Sequence, residues 1–70
     1  MTASKAALEE AHTEAKRLKN EGNKAFMARR WAEAAKLHTR AIELWPPYAT
    51  KLRTTLDAAK ENHEVAVAKA

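Results

Sequence analysis

Cysteine is absent from this chain, so no disulfide can staple it and the redox compartment is left undetermined. Glycine occurs once and proline twice in 70 residues, which excludes a loop-rich or low-complexity chain. Aromatic residues make up only 6%, and valine and isoleucine are sparse and never alternate with polar residues, so strands are not expected. No apolar run approaches the ~20 residues needed to span a bilayer, and none follows Met1, Thr2, Ala3 and Ser4 to make a secretory signal. The expectation is a soluble, cytoplasmic protein with no membrane partner.

What the chain does contain is alanine, glutamate and lysine in helical proportion. At this length it forms one domain at most, and a core this small rarely supplies more than ~3–5 kcal/mol without staples or partners. Thirteen Lys and Arg against nine Asp and Glu give a net charge of +4. The basic pairs Arg29–Arg30 and Lys16–Arg17, and Lys51 with Arg53, are interrupted by Glu9, Glu10, Glu14, Glu21, Glu33 and Glu43. They form no continuous stripe, and no nucleic-acid motif accompanies them, so no nucleic-acid partner is expected.

Spacing divides the chain into three helices. The first is predicted over residues 3–28, with Thr2 or Ser4 as N-cap. Its apolar or small face is Leu8, Ala11, Ala15, Leu18, Gly22 and Ala25, at alternating intervals of three and four. Gly22 in mid-helix costs about 1 kcal/mol relative to alanine, which suggests that another backbone passes close by. Arg29 and Arg30 make the turn. A second helix is predicted over 31–45, with Trp31, Ala34, Ala35, His38, Ala41, Ile42 and Trp45 as its stripe. Pro46 and Pro47 end it, because proline lacks an N–H and forces the residue before it out of helical conformation. A third helix is predicted over 47–68, opened by Pro47. One of its faces carries Tyr48, Leu52, Leu56, Ala59, His63 and Ala66; a weaker one carries Thr55, Ala58, Val65 and Ala70.

Residues 15–48 resemble a tetratricopeptide repeat, a helix-turn-helix unit of about 34 residues. Leu18 stands at its first large apolar position and Gly22 at its close-contact small position. Phe26 and Trp31 fill aromatic sites, Ala34 and Ala41 the small positions of the second helix, and Pro46 the terminating proline. Three residues depart from the pattern: Glu21 where an apolar residue is common, His38 where tyrosine or another large residue is usual, and Trp45 where the family is polar. No second copy follows. The resemblance implies an all-α hairpin with a third, capping helix in its groove, and either a fragment or an engineered minimal unit. Such repeats do not bury their faces alone.

Within that family, Lys19 and Asn23 match the first two positions of a carboxylate clamp, as in the first repeat of chaperone-binding domains and import receptors. The resemblance implies capture of acidic C-terminal peptide tails, assisted by Lys16 or Arg53; the rest of the clamp would lie in later repeats. The residues themselves also admit self-association, with Trp45, Tyr48, Leu56 and Val65 as the interchain surface.

His12, His38 and His63 lie one per helix, on or next to the apolar stripe. Counting about 1.5 Å per residue from the first turn, His12 falls about 25 Å below it, His38 about 12 Å below and His63 near its height. They do not meet within one chain, so a zinc site would need several chains. No glycine-rich phosphate loop, zinc-protease helix or nucleophile–base pair is present, and the chain is read as neither an enzyme nor a cofactor carrier.

Overall fold

The computed structural model describes residues 5–69, and within them the chain is all-α. Helix α1 spans Lys5–Met27, α2 Trp31–Leu44 and α3 Tyr48–Lys69. The expected caps Thr2 and Ser4, and Ala70, lie outside the described residues. Among those described, no helix is long and apolar enough to cross a membrane.

The α1–α2 turn is closed by backbone bonds alone. Arg30 N–H donates to the Ala25 carbonyl (2.8 Å) and Arg29 N–H to that of Phe26 (3.0 Å), the paired bonds of a Schellman cap. The motif needs a left-handed residue at its centre, and Arg29 supplies it at φ 62°, a conformation that suits glycine and strains an L side chain. At the other end of α2, Pro46 holds Trp45 extended (φ −139°, ψ 87°). Tyr48 N–H then donates to the Trp45 carbonyl (2.9 Å) and Ala49 N–H to that of Pro46 (2.9 Å). Helix α3 therefore starts one residue after the proline expected to open it.

Helix α2 lies between the other two and carries nearly all the interhelical packing. The predicted α1 face is buried at Ala15, Leu18, Gly22 and Ala25, and that of α2 at Ala34, His38 and Ala41. Two clusters result. Ala15, Leu18, Ala41, Tyr48 and Leu52 form one, and Ala25, Ala34 and Ala59 the other. Each cluster draws on all three helices, so α3 caps the hairpin while packing chiefly on α2. It reaches α1 through Tyr48, its first residue.

The layers are staggered. His12 of α1 is level with Trp45 at the end of α2, and His63 of α3 borders a cleft with Trp31 at its start. The residues of α1 before His12, and those of α3 after His63, project past α2 at opposite ends. This stagger explains a Cα trace 52 Å long and only 17 × 16 Å across, although α2 itself is only about 21 Å long at 1.5 Å per residue.

Replacing Arg29 by glycine removes the left-handed strain at the cost of a floppier unfolded chain. The expected net gain is about 0.5–1 kcal/mol, read as a melting temperature raised by several degrees in a domain of this size. No gain, or a loss, would show that the Arg29 side chain stabilises the turn.

Candidate functional site

The closest interhelical fit is at Gly22. A Cβ built there would overlap Cδ2 of His38 and stand 2.6 Å from its Nε2. What approaches the glycine is therefore the imidazole of His38, not the backbone that the sequence suggested. His38 is the largest fully buried side chain among the described residues, at 0% exposure.

Its Nε2 lies 3.1 Å from Asn23 Oδ1, while Nδ1 is buried with no hydrogen-bond partner in the described residues. The arrangement fits the neutral tautomer in which Nε2–H donates to the Asn23 amide oxygen and Nδ1 carries only a lone pair. Protonation would place a second charged N–H in the buried interior, where Nδ1 makes no hydrogen bond among the described residues. Burial accordingly pushes the His38 imidazole below its ordinary value, opposed by the backbone of Lys19.

At the α2–α3 turn, the His12 and Trp45 rings stand 4.5 Å apart between centroids, and Tyr48 lies 5.9 Å from His12. The Tyr48 hydroxyl is 3.4 Å from His12 Nε2, and Lys19 Nζ sits 5.5 Å from the Tyr48 ring centre, within cation–π range. Tyr48 is 6% exposed. It is core, and its assignment to an interchain surface is corrected: the Pro46–Pro47 turn places the ring beside α1. Trp45 and Leu56 are half-buried, and Val65 is exposed at 46%.

The clamp positions are occupied in part by the chain itself. Asn23 gives its oxygen to His38 and Lys19 reaches toward Tyr48, while Lys16 and Arg53 are exposed. The three histidines fall in three places: against Trp45, under Gly22 and beside Trp31. Among the described residues no three His, Asp or Glu side chains gather as a metal site. Along the exposed face of α1, Arg17 bridges Glu14 (2.5 Å) and Glu21 (2.5 Å), and its guanidinium holds the Glu14 carboxyl below the usual range. These pairs are solvated and contribute little to stability.

The end formed by the α1–α2 turn carries a feature that sequence reasoning missed. There the projecting part of α3 leaves an open cleft of about 450 Å³, floored by Trp31, Ala66 and Val67 and bordered by Arg29, Arg30 and His63. Phe26 props the indole edge-on, with centroids 5.0 Å apart. The spacing of each helix taken alone held no signal for it, because the cleft arises from the stagger. Comparison with protein-family models, curated proteins and solved structures returns no match to this chain.

The His38 environment sets a pH dependence. Its folded value lies below the unfolded one, near 6.5, so below that pH the unfolded chain binds the extra proton. Stability is complete above about pH 7 and falls as the pH drops from about 6.5, by at most about 1.4 kcal/mol per unit. Thermal melts across this range are expected to show the fall in the parent and a shallower one in His38→Phe. Equal slopes would mean that His38 titrates normally in the fold.

Proposed function

We propose that this chain is a helical protein–protein interaction module of tetratricopeptide-like design that associates with copies of itself through its ends. The observation that carries the reading is where the large exposed apolar side chains lie. Leu8 (53%), Met27 (83%), Val65 (46%) and Val67 (60%) all belong to the ends of the rod. Val65 is retained from the surface expected on sequence grounds, whereas Trp45 and Tyr48 are engaged with His12.

The tetratricopeptide-like reading is supported by the burial of Leu18, Gly22, Ala34 and Ala41 and by the end of α2 just before Pro46. In such arrays each helical layer is covered on both sides by the next. Here only α2 has two neighbours, so α1 and α3 each keep an uncovered side, as an isolated unit of an array would, whether natural or engineered. Capture of acidic peptide tails is the weaker reading, since Lys19 is drawn toward the Tyr48 ring, although the Asn23 contact with His38 uses only the amide oxygen and not the N–H2 that would donate to a carboxylate. A zinc site shared between chains would have to rest on His12 or His63, which are exposed, because His38 is buried.

Contacts limited to the ends of a narrow rod are small, at or below about 1,000 Å² in total, the range of weak association. Sedimentation equilibrium from micromolar to millimolar protein is expected to show a mean mass that rises with concentration. A monomer mass across the whole range would overturn the proposal.

A further inference from the structure

The two ends differ in charge as well as in shape. The projecting start of α1 carries Glu9 and Glu10 beside Leu8, with Lys5 as the basic residue against these two acids, and the ion pairs of the described side chains involve neither carboxylate. The opposite end carries Arg29, Arg30 and His63 around the apolar floor of Trp31, Ala66 and Val67, with Lys69 in the last turn of α3. Glu33 is the acidic residue of that cleft, and it is paired to Arg30 at 3.3 Å. Glu64 also lies on the projecting part of α3, so the acidic residues there are fewer than the basic ones.

The stagger gives these ends complementary steps. At one end α1 alone runs past the α2–α3 turn; at the other α3 alone runs past the α1–α2 turn. The two helices point the same way along the rod, since both run antiparallel to α2. Copies set end to end therefore bring the start of one α1 alongside the end of the next α3 without any clash of direction.

We propose that the cleft between Trp31 and Val67 receives the first turns of α1 from a second copy, Leu8 entering the apolar floor and Glu9 and Glu10 facing Arg29 and Arg30. This rests on the self-association proposed above and names its surface. A two-fold pairing of identical ends would set Arg29 and Arg30 against themselves, or Glu9 and Glu10 against themselves. Unlike ends are therefore the ones that meet, and with the copies pointing the same way the contact we propose is head to tail. Such contacts do not terminate at a dimer, and their strength falls with added salt.

Charge reversal at each end tests the proposal. Glu9→Lys with Glu10→Lys leaves both ends basic, and Arg29→Glu with Arg30→Glu leaves both acidic. Each variant alone is expected to associate at least about tenfold more weakly than the parent, as like charges replace attractive pairs. An equimolar mixture of the two regains association, because each then offers the end that the other lacks. Far-ultraviolet circular dichroism confirms the fold of each, and recovery in the mixture itself requires folded partners. If the parent associates and both variants do so equally well, the head-to-tail cleft is wrong while self-association stands. If the variants are weakened but the mixture recovers nothing, the pairing of these two ends is likewise refuted. A parent that stays monomeric removes both proposals together.

Discussion

The structure depends on one interlock, the imidazole of His38 seated where a side chain at residue 22 would otherwise be. The only glycine of the chain opens a notch in α1, and α2 fills it with its one fully buried polar ring. Moving α2 away would leave the Asn23 contact unmade and a void beneath the ring, and close packing penalises both. The clusters on either side, Ala15 with Ala41 and Ala25 with Ala34, are built from side chains small enough to keep the helices at the distance that the ring sets. Substitution of any of these alanines by a larger residue would compete with the same spacing.

A core of this kind is narrow. Leu18, Tyr48 and Leu52 are its large apolar members, and the second cluster is alanine, with Phe26, Ala35 and Leu37 packed at its edge. It draws its specificity from fit more than from buried area, and a short chain has little area to give. The strain at Arg29 and the buried histidine both subtract from a small total. Covering Leu8, Val65 and Val67 with another copy would add area where the monomer has none to spare.

Much of this was legible in the residues. The intervals from Ala15 to Ala25 and from Ala34 to Ala41 picked out the buried faces, and Pro46 marked the end of α2 within a residue. Other features were not legible, each for a physical reason. The turn falls at Arg29 and Arg30 as the spacing implies, but its left-handed residue has no glycine to announce it, since backbone hydrogen bonds close the cap and the strain is simply borne. Gly22 pointed to a close neighbour, yet a missing Cβ admits a ring as readily as a backbone, and only the register of α2 decides between them. Tyr48 belongs by spacing both to the apolar face of the third helix and to an interchain surface, and only the turn, which carries it onto His12, decides for the core. The cleft at Trp31 depends on how far α3 outruns α2, which is a property of the packing and not of any one helix.

The interlock is tested most directly by a double-mutant cycle on Gly22→Ala and His38→Ala, with equilibrium unfolding followed in an osmolyte that keeps every variant folded. In the parent, Gly22→Ala should destabilise despite the better helix propensity of alanine, because its methyl group collides with the ring. In the His38→Ala background the same change should become neutral or stabilising, by up to about 1 kcal/mol. If Gly22→Ala has the same effect in both backgrounds, or stabilises the parent, residue 22 and the ring of His38 are not coupled and the account fails.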